Sequence, residues 1–250
     1  TDNKTIRVST NYKIESNSPT VDDEAETMLF KALKGAGLVS QKDVTAFKNP
    51  DIRTGGSIIS STKVGPSVAK DITYGAFVSV FIALIAIFLY ILVRFHNLAF
   101  SVGSTVALAI DTIFVLGVYS LCWGWMPFSL EIDLTFIGAV LTVIGYSIND
   151  KVVVFDRIRE NIALHPKQDI YSLFNESINQ TLARTVNTSV STLLVLLFIL
   201  FLGGDSIRSF AFAMSLGVVV GTLSSIFVAS PVAYIVMGRR MKGRKEVAVA

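Results

Sequence analysis

Five long apolar runs constrain this chain more than any other feature. They fall at about 74–93, 98–121, 134–154, 188–202 and 209–237, and a transmembrane helix needs roughly 20 mostly apolar residues. In a bilayer every backbone N–H and C=O must find its partner within the protein, so such a run folds as a helix. The expected fold is an α-helical multi-pass membrane protein with five spans. The fourth run is short for a crossing unless the polar turn before it is embedded too. Only 16% of the residues are charged, which excludes an ordinary soluble domain. The net charge of +3 is small and the basic residues lie beside the apolar runs, so no nucleic-acid partner is expected. The single cysteine, Cys122, excludes an internal disulfide, and His96 and His165 lie in no ligand-like cluster. Neither a metal nor a cofactor is expected.

The loops between the runs are charged unequally. Arg94, then Lys151, Arg157, Arg159, Lys167 and Arg184, then Arg239, Arg240, Lys242, Arg244 and Lys245 fall on one side. Glu131, Asp133 and Asp205 fall on the other, with Arg208 as the one basic residue there. By the positive-inside tendency the 155–187 loop and the basic tail 238–250 are expected in the cytoplasm, and residues 1–66 outside. Trp123 and Trp125 then mark the outer interface. Residues 1–66 read as a small extracytoplasmic α+β domain. Thr5 to Ile14 alternates as a strand, a helix runs from about Val21 to Lys34 until Gly35 or Gly37 stops it, and Ser57 to Val64 reads as a second strand ended by Gly65-Pro66. No signal peptide opens the chain, so it is expected to be the C-terminal piece of a longer protein, with this domain incomplete.

Asn149 and Asp150 stand near the end of the third run, in the string IGYSINDKVVVFDRIRE from Ile144 to Glu160. An ionisable group at membrane depth costs about 3 kcal/mol on insertion scales. Two readings follow: a functional carboxylate inside the bundle, or a surface residue beside Lys151, Asp156 and Arg157. Small residues recur at helical spacing around it. Gly217, Gly221, Ser225 and Ala229 form a stripe in the last span. Gly103, Ala107 and Asp111 do so in the second, turning Asp111 toward neighbouring helices. Gly138, Thr142, Gly145 and Asn149 do so in the third. Small side chains let helices approach closely in lipid, which makes Gly138, Gly145, Gly217 and Gly221 the expected packing positions.

The fourth span enters with Arg184, Asn187, Thr188, Ser191 and Thr192 on one helical stripe. This stripe could line a wet path or satisfy polar groups on another helix, and Arg184 could equally be a snorkelling anchor. Before it, Ile170, Leu173, Phe174, Ile178 and Leu182 have amphipathic spacing. Segment 165–187 is therefore expected to lie on the inner membrane surface.

The strings KVGPSVAKD, YILVRFHNLAF, IGYSINDKVVVFDRIRE, SINQTLARTVNTS, FLGGDSIRSFAFAM and VGTLSSIFVASP follow one another along the chain. In that order they resemble SecF, the smaller half of the SecD/SecF translocase family, over about 63–237. The first 62 residues fit the family's outer domain only loosely. The resemblance implies half of a resistance–nodulation–division bundle, with the first of six helices absent, similar to the SecF part of SecD–SecF fusions. It implies no enzyme but a bacterial inner-membrane subunit of the Sec machinery, using the proton motive force to assist late translocation of unfolded preproteins. The implied partners are SecD, separate or fused, and the SecYEG channel, with YajC, YidC and membrane lipids around them.

Carried over by motif, Asp150 and Arg184 are the implied proton-relay pair, with Asn149 and Asp111 beside them, and Asp156 and Arg157 form a cytoplasmic motif. Two departures stand out. Lys151 follows the Asn-Asp pair where most relatives have Ser or Thr, and could pair with Asp150 as a rival to Arg184. Ile110 precedes Asp111 where relatives usually carry His. An exporter of small molecules or lipids from the same superfamily is the alternative reading. A purely structural assembly factor would need no buried charge. An intramembrane aspartyl protease on Asp111 and Asp150 would want a Gly-x-Gly-Asp string, which neither aspartate has.

Overall fold

The computed structural model describes residues 6, 8, 10–14, 16, 18, 20–52, 54–59, 61, 66–128 and 130–247. It divides into two units, Thr1–Gly75 and Ala76–Ala250. In the first, α1 (Val21–Gly35) opens on three acidic residues, Asp22, Asp23 and Glu24, which complement the positive end of the helix dipole. It ends on a Schellman turn. Gly37 takes φ +71, its N–H donates to the Lys34 carbonyl at 3.1 Å, and the Leu38 N–H donates to the Leu33 carbonyl at 3.0 Å. The short α2 (Val44–Lys48) packs Phe47 onto Phe30 and Val39.

The two expected strands are corrected by the structure. Among the described residues no strand forms. Ile6 and Val8, the apolar face of the first, are exposed. Residues 12–14 turn, with Lys13 at φ 45, which ends any extended run. In the second, residues 57–59 are irregular, and the Ile58 N–H is taken by the Phe47 carbonyl at 2.8 Å. Ser60 and residues 62–65 lie outside the described residues.

Among the described residues, five helices are long and apolar enough to cross a membrane. α3 (Pro66–Phe95), whose first turns belong to the first unit, starts at a proline, whose missing N–H costs nothing there. His96 turns the chain at φ 50, and Asn97 caps α4 (Leu98–Leu121) by accepting from the Ala99 N–H at 3.0 Å. Asp133 caps α5 (Leu134–Leu164) through the Phe136 N–H at 2.8 Å. Each such cap contributes about 1 kcal/mol. At 1.5 Å per residue the 31 residues of α5 reach about 46 Å, longer than a hydrocarbon core of about 30 Å.

α6 (Ile170–Leu202) holds 33 residues, and it corrects the expected surface helix over 165–187. No Gly or Pro interrupts the sequence from Ile170 to Leu202, so the amphipathic segment and the fourth span continue as one rod. The apolar face of the segment packs on protein. Leu173 and Phe174 are buried, and the Phe174 ring meets that of Tyr234 at 5.7 Å. The last span is interrupted. α7 (Asp205–Ser224) passes into a π-helical turn, Ser225–Ala229, and then into α8 (Ser230–Val247). Pro231 has no N–H to offer the preceding turn, and a widened turn is one way a helix accommodates that. The Ser230 hydroxyl donates to the Ser225 carbonyl, five residues back, at 2.9 Å.

Two aromatic-rich cores fill this unit. One packs Tyr119 on Phe136 with ring centroids 4.2 Å apart. The other stacks Phe100 on Phe155 at 4.8 Å, with Phe95 edge-on to both. α4, α5 and the last span are about half buried, whereas α3 is almost wholly exposed and α6 largely so.

Candidate functional site

Asp150 and Lys151 are neighbours on α5, so their side chains leave the helix about 100° apart. Both reach α7, but Lys151 also meets α4 and Asp150 also meets α6. Lys151 turns to α4 and α7, and its Nζ donates to Asp111 Oδ2 at 3.0 Å, Ser147 Oγ at 2.5 Å and Ser224 Oγ at 3.0 Å. The Ser147 carbonyl lies 3.5 Å away. Ser147 Oγ in turn donates to Asp111 Oδ2 at 2.8 Å. Both charged side chains are 0% exposed. A buried ion pair survives only when its desolvation is offset by close geometry and further hydrogen bonds, and both are present.

Lys151 thus pairs with Asp111 and not with Asp150. The ammonium is drawn to Asp111 by a pre-built set of oxygens, and the i+1 spacing aims it away from its neighbour.

Asp150 faces the junction of α5, α6 and α7. It is buried, and its Oδ2 accepts from Ser189 Oγ and Thr222 Oγ1, each at 3.5 Å. Those two hydroxyls are 2.5 Å apart and also bond to one another. The carboxylate thus has hydroxyl neighbours at the limit of hydrogen bonding and forms no ion pair among the described residues. Asp150 is thus buried within the helical bundle.

Close helix approach builds the site. A side chain at Gly217 would strike Val143, and one at Gly221 would come within 2.5 Å of Ser147 Oγ. Gly221 therefore gives Ser147 the room to face Lys151. At Gly103 a Cβ would lie 2.6 Å from the Ala229 carbonyl, in the π-helical turn.

The remaining sequence candidates fall elsewhere. Arg184, Asn187 and Ser191 are exposed on α6. The buried polar stripe of α6 is Ser177, Thr181, Thr185 and Ser189, spaced four apart. Of the expected stripe, Thr188 and Thr192 meet α5 through the Tyr146 hydroxyl, which donates to the Thr188 carbonyl at 3.4 Å and to Thr192 Oγ1 at 3.0 Å. Arg184 forms no ion pair with Asp150: its position on α6 is about 140° around the helix from Ser189.

Gly138 and Gly145 are also placed differently from expectation. Nothing lies within 4 Å of either Cβ position, and Asn149 shares this open face of α5. The buried face of α5 carries Val143, Ile144, Ser147, Asp150 and Lys151 instead.

Asp156 pairs with Arg94 at 3.2 Å and Arg159 at 3.4 Å. Arg157 meets Glu160 at 2.8 Å and the Gln180 side chain at 2.5 Å. These two residues tie α3, α5 and α6 together at one end of the bundle, beside the Asn161–Ser177 hydrogen bond of 2.8 Å.

Sequence reasoning missed Ser147, Ser189, Thr222 and Ser224. Two signals pointed to them: the Ser147–Lys151 spacing of four, and the hydroxyl ladder from Ser177 to Ser189. Among the described residues no cluster of three His, Cys, Asp or Glu side chains gathers to hold a metal.

With this geometry in hand, the comparisons with known proteins are decisive. Residues 45–239 match the family described as protein export membrane protein SecD/SecF, C-terminal. The chain belongs to the SecD/SecF family. The protein translocase subunit SecF of Rhodothermus marinus is 49% identical over 193 residues, covering 77% of this chain and 62% of that relative. Protein translocase subunit SecDF of Thermus thermophilus is 45% identical over 174 residues, 70% of this chain but 23% of the relative. The crystal structure of SecDF from that organism, titled a translocon-associated membrane protein, superposes with a TM-score of 0.68 at 39% identity. It covers 87% of this chain and 27% of the SecDF chain. A second SecDF structure, in a super-membrane-facing form, gives a TM-score of 0.67 at 36% identity, covering 91% of this chain and 28% of the SecDF chain. The chain thus spans 62% or less of the length of these relatives. The family and the five apolar helices together fit a multi-pass inner-membrane protein.

Proposed function

We propose that this chain is the SecF-type subunit of a protein-export translocase, and that Asp150 is its proton carrier. The observation that carries the reading is the division of labour between the two buried aspartates. Asp111 is held by an ammonium inside the chain. Among the described residues, Asp150 hydrogen-bonds only with the Ser189 and Thr222 hydroxyls. A hydroxyl can donate to a carboxylate or accept from a carboxylic acid, so the junction suits both protonation states of Asp150. Charged, the carboxylate draws both hydroxyls; neutral, it releases them to bond to one another. One charge moved across the membrane is worth about 2.3 kcal/mol per 100 mV, enough to bias two helix arrangements.

Arg184 takes part in the second arrangement. Pairing it with charged Asp150 requires α6 to turn from the state described here, and protonation then ends the attraction. Asn149 and Arg184 lie on open faces of α5 and α6. Lipid is a poor neighbour for an amide and a guanidinium, and the SecD half, separate or fused, is the partner that would cover them. The SecYEG channel, YajC and YidC, and an unfolded preprotein complete the assembly in this reading. Its orientation has residues 1–66 outside, with the 155–187 region and the tail from Arg239 in the cytoplasm. The test is preprotein export into membranes depleted of and resupplied with this protein, with and without a proton gradient. Stimulation only with both protein and gradient supports the function; equal export without the gradient rejects it.

A further inference from the structure

The Lys151 ammonium sits in a cage assembled by three helices. Its walls are Asp111 Oδ2 from α4, the Ser147 hydroxyl and carbonyl oxygens from α5, and the Ser224 hydroxyl from the last turn of α7, at 2.5–3.5 Å. All four residues are buried. Hard oxygen donors around one carboxylate are the ligand set of a small cation. A single negative charge matches a monovalent one, since a divalent ion would leave a net buried charge.

A second observation points the same way. Asp111 Oδ1 is buried and has no hydrogen-bond partner. An ammonium has three protons, and four other oxygens already surround this one, so it has none to spare for Oδ1. A spherical ion has no such limit. The carboxylate that anchors the cage thus keeps one buried acceptor that the ammonium leaves unbonded. The cage also abuts the π-helical turn Ser225–Ala229, a distortion often found at functional sites.

We propose that this oxygen cage is a monovalent-cation site that the chain fills with its own side chain. The Lys151 ammonium is a tethered cation, standing where a free ion of the sodium class would otherwise close the α4–α5–α7 junction. The junction is thus locked without an ion from solution. The inference does not depend on the translocation reading, and its test does not use export.

The experiment measures thermal unfolding of the full-length protein in nanodiscs, in sodium, choline or n-propylammonium chloride at equal ionic strength. Lys151→Ala removes the atoms of a propylammonium group and opens the cage. The parent protein should melt at one temperature in all three salts. Lys151→Ala should melt roughly 3–6 °C higher in sodium or propylammonium at ten times its dissociation constant than in choline. Asp111→Asn/Lys151→Ala, which has lost the carboxylate, should show no such difference. If Lys151→Ala cannot be purified folded from choline, recovery becomes the readout, and recovery only with sodium or propylammonium supports the site. Identical melting of Lys151→Ala in all three salts, a cation response that survives in the double variant, or recovery in none of the salts would each overturn the proposal.

Discussion

Two glycines of the same type, Gly221 and Gly145, test how the bundle is built. A Cβ at position 221 would lie 2.5 Å from Ser147 Oγ and 2.9 Å from Ser147 Cβ. Ser147 is held in turn by Asp111 and Lys151, so it cannot swing away freely. A Cβ at position 145 would meet nothing within 4 Å. Either Gly→Ala change gains helix propensity of about 1 kcal/mol, and that gain cancels when the two variants are compared. What remains is the steric conflict at 221, about 1–3 kcal/mol by analogy with overpacked cores. At roughly 2–4 °C per kcal/mol, Gly221→Ala should melt several degrees below Gly145→Ala in the same detergent, with the parent between the two or near Gly221→Ala. Equal melting of the two variants would show that α5 and α7 do not approach as described, and the geometry of the cation cage would fall with it.

Three further outcomes are expected. Asp111→Asn leaves the Lys151 ammonium buried without its counter-charge and should lose about 3–5 kcal/mol; adding Lys151→Met should recover most of it, as read by denaturant unfolding. Lys151→Thr should by the same reasoning destabilise this chain unless Asp111→Asn accompanies it. For topology, cysteines placed at Ser18 and Gln168 in a Cys122→Ser background should be labelled by an impermeant reagent from opposite sides of the membrane, and labelling of both from one side rejects the orientation.

The spans were legible because apolar runs of this length leave the backbone no alternative in lipid. Helix faces were harder to read. Gly138 and Gly217 look alike in a small-residue stripe, yet one is open and the other lies against Val143, because contact depends on the neighbouring helix and not on the stripe. The Arg184 stripe and the Ser177–Ser189 ladder both have helical period, and the sequence does not say which one turns inward. The partner of Lys151 was not legible for the same reason. Adjacency in sequence offered Asp150, whereas the helical turn delivers the ammonium to Asp111, 40 positions earlier. The strands failed because alternation needs a pairing edge, and the Ile58 N–H is bonded to the Phe47 carbonyl at the end of a short helix.

The central claim is that Asp150 is the titrating carboxylate that couples the gradient to export. The direct measurement is preprotein translocation into vesicles carrying Asp150→Asn, with and without an imposed proton gradient, after confirming that the variant is inserted and folded. The substitution preserves size and hydrogen bonding to Ser189 and Thr222 but cannot take up or release a proton. The gradient-stimulated component should vanish while export without the gradient stays at the parent level. Full gradient stimulation in Asp150→Asn would contradict the account.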